Sequence, residues 1–115
     1  MSFRWPSKDP DETLDYSVDW SRFLDTAIIT SVIWFVKSSL YNTKTRLNAG
    51  QNLTNASSSA VTDTIQNVSQ TNTNTVATIN ISGGQNNVEY TFFCQMTDDT
   101  GSTAERSIKL RLKER

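Results

Sequence analysis

The chain has 115 residues, a formal net charge of −1 and a hydrophobic fraction of 36%. That length suits one domain with a modest core and is short for two, and so balanced a charge supplies no field for nucleic acid or an anionic membrane. With no histidine and one cysteine, Cys94, the sequence lacks the commonest general base, any Ser-His or Cys-His pair, an internal disulfide and a thiolate metal cluster.

Residues 1–12 predict an extended arm, because Pro6 and Pro10 hold the residues before them in extended geometry and remove backbone donors. The arm has few apolar neighbours of its own, so its order is expected to come from a partner. Arg4, Trp5, Pro6 and Lys8 are the candidate partner-binding residues, with Trp5 and Pro6 as anchors and the two cations as polar contacts. Folding of Trp5 back onto its own domain is the alternative. Asp9-Pro10-Asp11-Glu12 follows with no apolar stretch behind it, so a secretory signal is not expected.

Residues 13–115 read as a single domain. Leu14, Tyr16, Val18 and Trp20 alternate with Asp15, Ser17 and Asp19, which is a half-buried strand by period. The run over residues 26–36 is apolar on both faces and rich in β-branched residues, predicting a covered inner strand with the core on one face and a partner on the other. It is about half the length a membrane helix needs. Trp20 and Trp34 are expected in the core.

Residues 37–74 read as a long polar insertion or loop, rich in Asn, Thr and Ser, in which a piece such as residues 61–68 could pair as a weak strand. From Thr75 the signal sharpens. Ala77, Ile79 and Ile81 mark one strand, ended by Gly83-Gly84, which reads as a hairpin turn. Val88, Tyr90, Phe92, Cys94 and Met96 mark the next. Asp98-Asp99-Thr100-Gly101 is a turn, and Ala104, Arg106, Ile108, Leu110 and Leu112 mark the last strand. Short strands with turns between them predict an all-β, immunoglobulin-like β-sandwich. If its first and last strands are neighbours, outward Asp15 and Asp19 would face Lys109, Arg111 and Lys113 across the pair.

Two patterns invite a chemical reading. Asp99-Thr100-Gly101 is the triplet of aspartic proteases, but Thr97 and Asp98 before it are polar where a shared-proton carboxylate pair needs an apolar setting; a solvated turn is the better reading. Asp9, Asp11 and Glu12 could join Asp98 or Asp99 around calcium, although loop carboxylates of this sort are usually only solvated. Cys94, on an apolar face with Tyr90 and Phe92, reads as an inert buried thiol. Neither an enzyme nor a cofactor is expected.

The stretch over residues 8–24, with its Lys8-Asp9-Pro10-Asp11-Glu12 opening, Tyr16 and Asp19-Trp20, resembles the opening of small tail-associated virion proteins of bacteriophages. Ile29, Thr30, Ser31 and Trp34 look like their second block. Ser82-Gly83-Gly84, Tyr90, and Asp99-Thr100-Gly101 with Glu105-Arg106-Ser107 look like their closing blocks. The resemblance covers both ends and leaves out residues 37–74. It implies an immunoglobulin-like module of the virion, a fibre–tail adaptor docking between tail or neck proteins and a fibre. It also implies assembly in the host cytoplasm, several copies in a symmetric particle, other virion proteins as partners, and neither nucleic acid nor membrane. A capsid decoration or cement protein would use the same kind of domain. A carbohydrate-binding sandwich would need exposed aromatics, for which Trp5, Trp34 and Tyr41 are the candidates.

Overall fold

The computed structural model describes residues 3–40, 43–54 and 62–114. In chain order the elements are β1 (Phe3–Arg4), β2 (Thr13–Asp19), α1 (Ser21–Leu24), β3 (Ile29–Ser38), β4 (Thr45–Arg46), β5 (Gln51–Thr54), β6 (Thr62–Asn72), β7 (Val76–Ser82), β8 (Glu89–Asp98) and β9 (Thr103–Arg111). They form an all-β sandwich. One sheet runs β1-β9-β8-β3-β4 and the other β2-β7-β6-β5. All pairs are antiparallel except β1 with β9.

The alternation in the sequence sets which side chains meet between the sheets. Tyr16, Val18 and Trp20 from the first block face Ile79 and Ile81 of the same sheet's neighbour and Trp34, Phe92, Met96, Ile108 and Leu110 of the opposite sheet, all in one buried cluster. Trp20 and Trp34 are each 1% exposed, so the two rings fill the interior as expected. Both faces of β3 are at least partly covered over Val32–Ser38, with Trp34, Val36 and Ser38 inward and Ile33, Phe35 and Lys37 outward.

The polar segment contributes β4, β5 and β6, and β6 lies between β5 and β7 in the second sheet. Its inward positions include two polar residues, Asp63 and Asn67, both buried. The Asp63 carboxylate accepts hydrogen bonds from the Tyr90 hydroxyl at 2.9 Å, the Ile65 amide at 2.9 Å and Gln85 Nε2 at 3.2 Å. Asn67 donates to the Leu47 carbonyl at 3.1 Å and to Gln70 Oε1 at 2.9 Å. Buried polar groups are tolerated when partnered in this way; Asn67 Oδ1 alone of these side-chain atoms has no partner among the described residues.

Two local expectations are corrected. Gly83-Gly84 does not close a hairpin: β7 and β8 belong to different sheets, and the pair carries the chain from one to the other. Both residues sit at positive φ, +71° and +102°. A side chain at Gly83 would strike the Thr64 carbonyl, and one at Gly84 would lie 2.6 Å from Leu112 Cγ, so glycine is required by close approach as well as by conformation. Nor do β2 and β9 pair. They lie in opposite sheets; Asp15 instead accepts from Asn80 Nδ2 at 2.7 Å, and Lys109 and Arg4 both meet Glu89.

Candidate functional site

The four arm residues singled out from the sequence lie along the edge where β9 borders β2. The short strand β1 aligns Phe3 with Ile108 and Arg4 with Lys109, and the track continues as the Trp5 amide donates to the Lys109 carbonyl at 2.9 Å and the Lys8 amide to that of Arg111 at 3.0 Å. The edge of β9 thus supplies the backbone partners that an arm otherwise takes from another chain. Trp5 stacks on Tyr16, with ring centroids 4.7 Å apart and planes at 26°, and lies 5.6 Å from Phe92 and 6.0 Å from Trp34. Its indole N–H donates to the Ser17 carbonyl at 3.2 Å.

Lys8 is fully buried. Its ammonium donates to the carbonyls of Gly83 at 2.7 Å and Asp9 at 2.9 Å. Burial pushes its pKa down, while the Glu12, Asp9 and Asp11 carboxylates oppose that shift. Lys8 is therefore a clasp that ties the arm to the Gly83 connection. Arg4 and Pro6 are exposed; Arg4 pairs with Glu89 at 2.9 Å and, by that hydrogen bond first, lowers the glutamate's pKa.

A groove of about 260 Å³ opens beside the arm, lined by Trp5, Ser17, Val18, Asp19, Arg106 and Ile108. Arg106 lies over the Trp20 ring at 4.5 Å and donates to the Asp19 carbonyl at 3.0 Å. This mixed apolar and charged lining comes from three separate stretches of sequence, so only the fold assembles it.

The outer face of the five-stranded sheet carries a second feature that residue spacing alone missed. Phe35 and Phe93 are register partners on that face, and the Lys44 ammonium sits 4.8 and 4.7 Å from their ring centroids. Lys44 also holds Glu105 at 2.8 Å. Lys37, Arg46, Lys109, Arg111 and Arg4 share the face, so six basic side chains, Lys44 included, stand against Glu89 and Glu105. A shallow cleft of about 370 Å³ lies between Lys37 and Lys109, floored by Phe93 with Thr91 and Ser107 beside it.

The opposite outer face differs. Its β2, β7 and β6 positions carry Asp15 and Asp19 among Thr, Ser, Asn, Gln and Val76, and no basic residue among those described. The Asp19 carboxylate accepts from the Ser21 amide, which lowers its pKa.

At one end of the sandwich Phe23 and Ile28 are exposed, at 48% and 39%. Both lie on the chain linking β2 to β3, where Ile28 exchanges hydrogen bonds with Asp99. Exposed large apolar groups in one short link are candidates for a protein contact.

The residues that had chemical alternatives are held in local structure. Asp98 Oδ1 accepts from the Thr100 hydroxyl at 2.6 Å and from the Thr100 and Ser102 amides, the hydroxyl bond being the first cause of its lowered pKa. Asp99 projects from the same turn, with Gly101 at φ +87°. No group of three or more His, Cys, Asp or Glu side chains suited to a metal occurs among the described residues. Cys94 is fully buried beside the Trp20 indole nitrogen at 3.4 Å, and burial pushes its pKa up to about 11. Of the aromatics a carbohydrate platform would use, Trp34 is buried, Trp5 is packed into the edge, and Tyr41 lies outside the described residues.

A family model described as Podophage GP4 fiber-tail adaptor protein gp77 matches residues 40–111, well over half of the chain. The chain belongs to this fibre–tail adaptor family. No curated protein matches it. The matched span takes in β4 to β9 whole and so includes the closing blocks on which the resemblance was read. It also includes most of the polar segment that the resemblance left out. The opening block over residues 8–24 lies outside the match. A phage tail structural role, with other virion proteins as partners, follows from the family.

Proposed function

We propose that this adaptor docks between tail or neck proteins and a fibre, in several copies per virion assembled in the host cytoplasm, and that it catalyses no reaction. The family match over residues 40–111 carries the reading. Two surfaces support it. The exposed pair Phe23 and Ile28 offers an apolar contact at one end. The arm edge offers another, in which Arg4 and Pro6 are exposed, Trp5 lines the adjoining groove and Lys8 fixes the arm's path. Anchors of this kind, an aromatic at a groove with a cation at its rim, carry much of the energy of protein interfaces.

The test is incorporation into particles. The double variant Phe23→Gln, Ile28→Gln and, separately, Arg4→Glu should stay folded, with a modest fall in melting midpoint where the Trp20 contact and the Glu89 pair are lost, yet yield particles depleted in fibre or in the adaptor itself. Particles with full fibre complement from both variants would overturn the assignment of these surfaces.

A further inference from the structure

The two outer faces of the sandwich are unlike in charge, and each suits the other. One is basic around an aromatic centre, with Lys37 and Arg111, and with Lys44 and Lys109 paired to Glu105 and Glu89, beside Phe35 and Phe93. Along the first strand of the other runs an acidic stripe, Asp15 and Asp19. Both stripe carboxylates are on exposed residues and bond locally to uncharged donors, Asn80 and Ser21, so neither is buried in an ion pair.

We propose that copies of this chain associate face to back, the basic aromatic face of one receiving the β2 face of the next. The three long strands, β3, β8 and β9, about 4.8 Å apart and about 30 Å long, with two-residue strands at either edge, present on the order of 500 Å², a share that suits a weak, concentration-dependent contact. Because the two surfaces differ, the contact is head-to-tail and generates a closed ring or an open row, not an isolated twofold dimer. Opposite potentials on the two faces also disfavour basic-to-basic and acidic-to-acidic pairing, which fixes polarity. Outward Phe35 and Phe93, with the Lys44 ammonium over both rings and that of Lys37 over Phe93, supply the apolar centre of the contact. This deepens the several-copy part of the adaptor reading, but it needs no fibre or tail protein and stands or falls on the purified chain.

Sedimentation velocity of the full chain across a concentration series, at about 50 mM and about 500 mM salt, tests it. Concentration-dependent oligomers are expected at low salt, with the apparent dissociation constant rising at least tenfold at high salt. Lys37→Glu with Lys109→Glu should be monomeric at low salt, and so should Asp15→Lys with Asp19→Lys. Mixing these two variants should restore association, since the intact basic face of one still meets the intact acidic face of the other. A chain that stays monomeric at every concentration and salt overturns the proposal. So do folded reversal variants that associate as the unsubstituted chain does, or variants that fail to pair when mixed.

Discussion

Replacing Trp5 by alanine should lower stability by about 2.5–3.5 kcal/mol. The ring stacks on Tyr16 at 4.7 Å and touches Phe92 and Trp34, and it is half-buried because one side lines the open groove. Truncation returns on the order of 100–150 Å² of apolar surface to water, worth roughly 2.5–4 kcal/mol at about 25 cal/mol/Å². The lost bond to the Ser17 carbonyl adds little, since water can reach that oxygen through the groove. Water entry also relieves any cavity, which keeps the cost at or below the roughly 3–5 kcal/mol of a fully enclosed Trp or Phe truncation. For a domain of this size the melting midpoint should fall by roughly 10 °C. Thermal and urea unfolding followed by far-ultraviolet circular dichroism avoids the lost fluorophore, and Trp5→Phe, which keeps a stacking ring, should lose clearly less. A Trp5→Ala change below about 0.5 kcal/mol would mean that the arm does not rest on its own domain in solution. By the same reasoning, deletion of residues 1–8 also removes the Lys8 clasp and the β1 pairing, so it should destabilise the fold and is unsuited as a neutral probe of docking.

Gly83→Ala should cost more than 3 kcal/mol, because Cβ meets the Thr64 carbonyl at a positive φ; Gly50→Ala, also at positive φ but with open space around it, should cost about 1 kcal/mol. Parallel urea titrations of the two variants check the contrast. Cys94, fully buried and with its pKa pushed up to about 11, should resist a thiol reagent at pH 8 in the native protein and react fully in denaturant, so quick native labelling would contradict its placement. Glu89, Asp19 and Asp98 all have pKa values held below the ordinary range, so the stability they add is present above about pH 4.5 and is lost as pH falls through their folded values. Unfolding midpoints should therefore drop as pH falls below about 4.5, and the Arg4→Ala variant should show a shallower drop because Glu89 loses the donor that lowers its pKa first.

What the sequence shows well is whatever follows a strict apolar alternation. Tyr16, Val18 and Trp20, and later Tyr90, Phe92, Cys94 and Met96, each occupy the inward side that period two assigns them. β6 escapes that signal because two of its inward residues, Asp63 and Asn67, are polar and become acceptable only once Tyr90, Gln85, Leu47 and Gln70 are brought to them. The arm escapes for a similar reason: the neighbours of Trp5 are at Tyr16, Trp34 and Phe92, far away in sequence. Gly83-Gly84 shows that a turn's composition does not say whether it joins strands of one sheet or of two. Pairing by charge between the first and last long strands fails on the same point, since β2 and β9 are assigned to separate sheets. The proposed docking surfaces are legible only in part. Arg4, Trp5, Pro6 and Lys8 are drawn together along one edge, whereas the basic aromatic face depends on the register that places Phe35 opposite Phe93.

The central claim is that this sandwich sits between the tail and a fibre, and a map of the intact particle tests it most directly. Density of about 42 × 31 × 26 Å per copy is expected at the junction of tail and fibre, with neighbouring copies meeting face to back. Density for the chain on the capsid shell, away from any fibre attachment point, would contradict it.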